Sequence, residues 1–135
     1  MRALALAVFA LACACNNVGD SCSQDSDCGG GNVCARDEAC WPSSDVRAVK
    51  LTWTIGGSAV GSDNCAAYPL FFVNFWSYDE EFGFAPVPCI AGEFPIDKLP
   101  NVYTETEIGN DGSCTYFDLS ASIDSNGSAS FDLAP

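Results

Sequence analysis

Residues 49–55 read Val-Lys-Leu-Thr-Trp-Thr-Ile, with an apolar side chain at every second position. A period of two is the pattern of a β-strand that has one face against a core and one face in water. The turn-forming residues Gly56-Gly57-Ser58 follow at once and end the run. This stretch therefore predicts an amphipathic strand in a β-rich domain.

The chain beyond this strand continues the pattern. Residues 70–76 are apolar on both faces apart from Asn74, as in a central strand, and we expect their aromatic side chains to be core. Further short runs of strand character follow at 94–97, 102–108, 117–123 and 129–133. Residues 110–112 and 124–127 favour tight hairpin turns between the last runs. No stretch has helical periodicity, so residues 43–135 are predicted to form an antiparallel β-sandwich of about seven strands.

Residues 1–15 have the composition of an export signal. Arg2 supplies a positive charge, and an unbroken apolar run of ten residues follows over 3–12. The run is shorter than the about 20 apolar residues that span a bilayer. We therefore expect residues 1–15 to be a signal peptide.

The end of this signal, Leu11-Ala12-Cys13-Ala14-Cys15, resembles a bacterial lipoprotein signal, in which the Cys after the cleavage site is lipidated and becomes the new N-terminus. The resemblance implies a membrane partner through a lipid on Cys15, or alternatively on Cys13. Signal length favours Cys15, whereas parity favours Cys13 because it leaves eight Cys to pair. The same residues are also compatible with ordinary cleavage, which would give a soluble secreted protein.

Residues 16–42 are predicted to form a small disulfide-rich module. They contain Cys22, Cys28, Cys34 and Cys40, each separated from the next by five residues, and almost no aliphatic side chains. So small a stretch cannot bury a sufficient core, so cross-links must stabilise it. Four Cys allow three pairings, of which we favour Cys22 with Cys34 and Cys28 with Cys40. A four-thiolate zinc site is the alternative, but such sites prefer Cys pairs spaced by two to four residues; we expect no metal.

Three further Cys fall in the predicted sandwich. We expect Cys65 and Cys89 to form a disulfide across the sandwich, because both flank predicted strands. Cys114 then has no obvious partner. It would pair with Cys15 if Cys13 carries the lipid, or remain buried as a small apolar residue.

Two segments resemble known families. Residues 22–28, Cys-Ser-Gln-Asp-Ser-Asp-Cys, together with Cys34 and Cys40, resemble a Dickkopf-like Cys-rich module that also occurs in surface lipoproteins of some Gram-negative bacteria. Residues 92–103 are similar to a segment of prealbumin-like sandwiches, including carboxypeptidase regulatory-like and Cna protein B-type domains. These resemblances imply an exported surface protein whose sandwich acts as a stalk, spacer, adhesive or ligand-binding module.

The charge and the missing residue types exclude several functions. The chain has 18 acidic and five basic side chains, a formal charge of -13 and no His. Without His there is no Ser-His-Asp triad and no His-ligated metal or haem. A charge of this sign repels nucleic acid. We therefore expect no catalytic residue, no cofactor and no nucleic-acid partner.

Residues 78–84, Tyr-Asp-Glu-Glu-Phe-Gly-Phe, combine acidic and aromatic side chains in what the pattern indicates is a loop between strands. Loops on a rigid sandwich often carry binding sites, and aromatic rings beside carboxylates suit sugar faces or basic peptides. The candidate binding residues are Tyr78, Asp79, Glu80, Glu81, Phe82 and Phe84. Alternatively, Phe82 and Phe84 pack under the edge of the sandwich and the acidic residues are only solvated.

The sequence as a whole predicts an exported, lipid-anchored, non-enzymatic protein with a structural or binding role. Its location would be the outer membrane, the cell surface or the extracellular space, with an extracellular protein or glycan as ligand. One alternative is a secreted disulfide-rich inhibitor or a carbohydrate- or peptide-binding module. A more distant alternative is a small secreted hydrolase that uses Asp79, Glu80 or Glu81 as acid or base.

Overall fold

The computed structural model describes residues 19–68, 70–110 and 117–135. In chain order the strands are β1 (Asn32–Cys34), β2 (Cys40–Pro42), β3 (Val46–Ile55), β4 (Leu70–Trp76), β5 (Glu81–Pro88), β6 (Glu93–Pro100), β7 (Glu105–Gly109), β8 (Asp118–Ser122) and β9 (Ser128–Leu133). The helices of the described residues are single 3₁₀ turns at Asp25–Asp27, Ser43–Asp45, Asn64–Ala67 and Cys89–Ala91. The predicted all-β class is confirmed. The signal peptide with Cys13 and Cys15, and also Cys114, lie outside the described residues.

Two sheets form the sandwich. One sheet has the order β6-β3-β9, and the other has the order β5-β4-β7-β8. Strands β1 and β2 form a separate antiparallel hairpin in the Cys-rich module. Strands β3 and β9 pair in parallel, with Trp53 opposite Phe131, whereas the other strand pairs of the described chain are antiparallel. The first and last strands of the sandwich thus lie side by side.

The core lies between the inner faces of the two sheets. Alternate residues of β3 such as Leu51 and Trp53 are buried, as the period of two predicts. Trp53 meets Phe71 of β4 edge to face, with 5.3 Å between ring centroids, and its indole N–H donates to the Cys89 carbonyl at 2.7 Å. Burying a side chain of this size contributes about 1.5–3 kcal/mol, so these inner rows dominate the stability of the sandwich.

Three disulfides join Cys22 to Cys34, Cys28 to Cys40, and Cys65 to Cys89. These are the pairs that the sequence analysis favoured. The sulfur atoms of Cys22, Cys28 and Cys40 lie within 4.8 Å of one another, close enough for a metal site. Each of them is part of a disulfide, and a disulfide sulfur is not the thiolate that zinc requires.

Strand β5 corrects the sequence interpretation of residues 81–84 as part of a loop. Gly83, Pro86 and Pro88 disfavour a strand, but β5 is an edge strand that pairs only with β4, and edge strands tolerate proline. The connection from β4 to β5 is therefore a tight turn over residues 77–80. The Ser77 amide donates to the Glu80 carbonyl at 2.9 Å, and the Glu80 amide donates to the Ser77 hydroxyl at 3.0 Å.

Residues 124–127 form a turn, but not the hairpin turn that the sequence predicts. The turn joins β8 to β9, and these strands belong to different sheets. Asp124 Oδ1 accepts the amides of Asn126 and Ser128, both at 2.8 Å. Gly127 has a φ of +76°, and a Cβ atom there would collide with the Ala48 carbonyl. Glycine is therefore required where the chain crosses between the sheets.

Across the described ranges, no helix has the length and apolar character needed to cross a membrane.

Candidate functional site

The Cys-rich module is joined to the sandwich by ion pairs with strand β6. Lys98 Nζ lies 2.8 Å from both carboxylate oxygens of Asp25, which belongs to the module. Arg36 of the module contacts Asp97, with 2.7 Å from its Nε atom to Oδ1. The Arg36 amide also donates to the Lys98 carbonyl at 3.2 Å. The module thus supplies one acidic and one basic side chain, and β6 supplies the opposite charge to each. This complementary pattern fixes the orientation of the module on the sheet.

The same contacts shift the acidity of the junction carboxyls. The Lys98 ammonium and the Cys34 amide hold the pKa of Asp25 below its ordinary value of 3.8. The Arg36 guanidinium lowers the pKa of Asp97 in the same way. Both carboxyls therefore stay charged in mildly acidic solution.

A cleft of about 630 Å³ lies beside these ion pairs. Its lining includes Gln24, Asp25 and Arg36 of the module, together with Phe84 and Lys98 of the sandwich. Arg36 and Lys98 are both paired with carboxylates, and these ion pairs join the module to the sandwich. The basic side chains that line the cleft are therefore not free to bind an anionic ligand.

A second contact between module and sandwich centres on Tyr103, which is buried. Its hydroxyl lies 3.2 Å from Glu80 Oε2 and 3.4 Å from Asp37 Oδ2 of the module. Asp37 also accepts the indole N–H of Trp41, at 3.0 Å. Burial and the two carboxylates raise the pKa of Tyr103 far above its ordinary value of 10.0, so the hydroxyl remains a proton donor.

An acidic cleft of about 440 Å³ opens at this contact. Its lining includes Asp37 of the module and Asp79, Glu80 and Glu81 of the sandwich, with Tyr103 at the same place. Two of these carboxylates, Asp37 and Glu80, already face the Tyr103 hydroxyl as hydrogen-bond acceptors. The packing of the module against the sandwich therefore accounts for the acidic residues of this cleft.

The structure separates the six candidate binding residues of the segment 78–84. Tyr78 is 99% exposed at the tip of the β4–β5 turn, and Asp79 is exposed beside it. Glu80 turns towards Tyr103 and the module. Glu81 begins β5 on the outer side of the sheet, where it accepts the Asn74 amide at 2.9 Å. Only the exposed members of the set remain available to a ligand.

Phe82 and Phe84 correct the predicted binding set. They occupy alternate positions of β5 that face the core, and both pack against it while half-buried. Phe82 stacks on Phe75 at 5.6 Å between centroids and meets Tyr103 at 4.9 Å. Their rings pack at the edge of the sandwich, as the alternative interpretation expected, and only part of each ring remains accessible to a ligand.

The outer face of the four-stranded sheet carries a second group of aromatic and acidic residues, which sequence reasoning missed. We call it the acidic aromatic face and define it by Phe72, Trp76, Glu81, Glu107 and Asp118. Alternation along β4 directs Phe71, Val73 and Phe75 inward and turns Leu70, Phe72, Asn74 and Trp76 outward. Leu70 and Trp76 retain 51% and 38% of their surface exposed. The expectation that all aromatic residues up to Trp76 belong to the core is therefore wrong for Phe72 and Trp76.

The register of β7 places its acidic residues beside this aromatic row. Asn74 lies opposite Glu107, and Trp76 lies opposite Glu105. The Trp76 indole N–H donates to Glu107 Oε2 at 3.1 Å. The ring of Phe72 passes so close to Gly109 that a Cβ atom at Gly109 would meet it. A glycine beneath an aromatic ring is a known way to cover a gap in a sheet face.

Glu107 is the residue of this face whose negative charge is disfavoured by its surroundings. Burial and the neighbouring Asp118 raise the pKa of Glu107 above its ordinary value of 4.5, and Glu81 adds to the effect, while the Trp76 N–H opposes it. Three carboxyl groups thus lie close together on one face, and removal of their mutual repulsion would favour the folded chain.

Charge is distributed unequally between the two sheets. Strands β4, β5, β7 and β8 contain no Lys or Arg. The described basic side chains lie in the module and in β3 and β6, where three of them form ion pairs: Arg36 with Asp97, Lys50 with Glu93, and Lys98 with Asp25. Arg47 donates to the Tyr103 carbonyl at 3.1 Å. The acidic aromatic face therefore has no cation on its own sheet.

No protein family, curated protein or solved structure matches this chain.

The signal that could have revealed the acidic aromatic face lies in the sequence of β7. Residues 105–109 read Glu-Thr-Glu-Ile-Gly, with acidic side chains at alternate positions of a strand. Such alternation marks one face as exposed to water. It does not say which strand lies alongside, and the pairing with Trp76 depends on sheet order.

Proposed function

We propose that this chain is an exported, lipid-anchored, non-enzymatic protein of the cell surface that binds a ligand through the outer side of its four-stranded sheet. The observation that carries the export part of the proposal is the set of three disulfides. Structural disulfides persist in oxidising compartments and are rare where thiols are kept reduced. The resemblance of residues 11–15 to a lipoprotein signal supports the anchor.

The binding part of the proposal rests on the acidic aromatic face. Trp76 and Leu70 are large apolar side chains that stay exposed on the outer side of the four-stranded sheet. Contiguous exposed apolar patches that are rimmed by polar residues commonly mark interaction sites, and on this face the outward-pointing Phe72 lies between Leu70 and Trp76. The sandwich would then hold this face rigidly, and the disulfide-rich module would fix one end of it.

The intact mass of the mature protein, measured with and without reductant, tests the export and anchor. We expect a chain that begins at Cys15, or at Cys13, carries the added mass of a lipid and gains two hydrogens per disulfide on reduction. The protein should partition into the detergent phase of a membrane extract, and Cys15→Ser should move it to the aqueous phase if Cys15 carries the lipid. A mature chain without lipid would refute the anchor. A chain that retains residues 1–12, or one in which the Cys of the three disulfides are free thiols, would refute export.

A further inference from the structure

The acidic aromatic face combines apolar surface with negative charge, and this combination favours a cationic partner. It combines exposed apolar surface at Trp76 with the carboxylates of Glu81 and Glu107, and no cation lies on its four strands. A neutral ligand would leave these negative charges repelling one another. A cationic ligand would neutralise them.

We propose that the acidic aromatic face binds a Lys- or Arg-rich segment of another polypeptide. The inference rests on the proposed binding function and adds the class of partner to it. Lys or Arg side chains would lie over the exposed part of the Trp76 ring while their charged ends reach Glu81, Glu107 or Asp118.

Two properties of aromatic and acidic side chains favour this partner. An ammonium or guanidinium group is attracted to the face of an indole ring, which is the strongest of the aromatic acceptors for cations. Long basic side chains also cover apolar surface with their methylene groups and keep the charge at the carboxylates. One Lys or Arg side chain thus satisfies both kinds of residue on this face.

The distribution of charge over the described residues is consistent with a basic partner on this face. The basic side chains that could compete for the carboxylates are engaged on the other sheet and on the module, as Lys50 is with Glu93. A basic segment that approaches the four-stranded sheet therefore meets no positive charge on its strands. The formal charge of -13 would speed this encounter at low ionic strength.

Proton release gives this proposal a readout that general electrostatic attraction lacks. Glu107 has a raised pKa because burial disfavours its charge, and because the carboxylates of Asp118 on the neighbouring β8 and of Glu81 on β5 repel it. A bound cation would lower that pKa, so binding at a pH within the titration range of the folded Glu107 should release protons. Glu107→Gln should abolish the release.

The experiment is calorimetric titration of the mature protein with a short oligolysine peptide at low and at moderate salt, in two buffers of different ionisation enthalpy. We expect binding that weakens with salt. The double variant Glu81→Gln/Glu107→Gln should weaken it about tenfold, since each exposed pair contributes up to about 1 kcal/mol. Trp76→Leu, which keeps an apolar side chain, should weaken it about threefold.

A matched control removes the same two charges elsewhere. Asp20→Asn/Asp63→Asn alters the module and the loop before β4, where neither carboxylate is in one of the ion pairs described above, and it should change the affinity less than about twofold. An equal loss of affinity in this control would overturn the proposal, because the attraction would then come from net charge alone. Binding that is unchanged in Glu81→Gln/Glu107→Gln would overturn it as well.

A neutral cello-oligosaccharide is the second probe. If it binds in a manner that Trp76→Leu abolishes, and oligolysine does not bind, the partner class is wrong but the binding function stands. If neither probe binds, the inference fails and the binding function loses its support. The lipid anchor is tested separately by mass, so neither result depends on it.

Discussion

The hydroxyl of Tyr103 lies 3.2 Å from Oε2 of Glu80. The same hydroxyl oxygen lies 3.4 Å from Oδ2 of Asp37, so one phenol lies between a carboxylate of the module and a carboxylate of the sandwich. Without this donor the two acidic groups would face each other across a buried ring. The contact therefore couples the module to the sandwich through one hydroxyl.

Tyr103→Phe should lower the free energy of unfolding by about 1–2 kcal/mol at neutral pH, because it removes the donor and leaves two carboxylates unshielded. The loss should shrink in acid, where carboxylates take up protons. Urea denaturation at several pH values measures it. Tyr68→Phe is the matched control, since the Tyr68 hydroxyl donates to the neutral Ala134 carbonyl at 2.8 Å. A loss that does not vary with pH in Tyr103→Phe would contradict the carboxylate contact.

Glu107→Gln should stabilise the protein by about 0.5 kcal/mol at neutral pH, the amount typical of a partly exposed like-charge contact. A raised pKa means that the folded chain binds the proton more tightly than the unfolded chain. Stability from this group is therefore full below pH 4.5 and is lost as pH rises through the folded pKa. The variant should abolish this loss, as followed by the unfolding midpoint in urea between pH 4 and pH 7.

Glu105→Gln, on the same strand and exposed, controls for the simple removal of one negative charge. An equal gain of stability in Glu105→Gln would show that total charge, and not the contact with Asp118, sets the effect.

The Asp25 contact should respond to pH in the opposite direction. Its pKa is lowered, so the stability it contributes is present above pH 3.8 and is lost as pH falls through the folded pKa. Protonation would weaken both the Lys98 ion pair and the bond from the Cys34 amide, which lies 3.0 Å from Asp25 Oδ1. Hydrogen exchange of the Cys34 amide should therefore accelerate over this range beyond the change in intrinsic rate. Asp25→Asn should exchange faster at neutral pH, and equal protection in the two proteins would contradict the contact.

The double variant Cys65→Ala/Cys89→Ala should lower the free energy of unfolding by about 3.5 kcal/mol on the chain-entropy estimate. The disulfide joins residues 24 positions apart, and both Cys are buried. Guanidinium denaturation followed by tryptophan fluorescence measures the loss, because Trp53 donates to the Cys89 carbonyl and reports on this part of the core. An unchanged midpoint would mean that the two thiols are not bonded in the native protein.

The sequence was sufficient to predict the strands that have one apolar and one polar face. In β3 and β9 every second residue is apolar, and the structure buries those residues. Strand β5 escaped prediction because Gly83, Pro86 and Pro88 resemble loop residues. They are tolerated because β5 bonds to a neighbour on one side only, which is a property of sheet order that the local sequence does not contain.

The candidate site was predictable only in part. The acidic and aromatic character of 78–84 was visible, but the side to which each residue points was not. Phe82 and Phe84 face inward while Glu81 faces outward, because neighbours along a strand alternate. The contact of Trp76 with Glu107 joins residues 31 positions apart, and it depends on the pairing of β4 with β7.

The parallel pairing of β3 with β9 has a consequence for the order of folding. Lys50 to Ile55 of β3 pair with Ser128 to Leu133 of β9. One edge of β3 therefore stays unpaired until a strand much later in the chain has been made. Contacts between distant parts of a chain form slowly, because the intervening loop must close first. Until β9 arrives, β3 exposes an open edge and the inner face of the sheet lacks Phe131. The chain should thus stay loosely folded through most of its synthesis, a property that would suit the export that we propose.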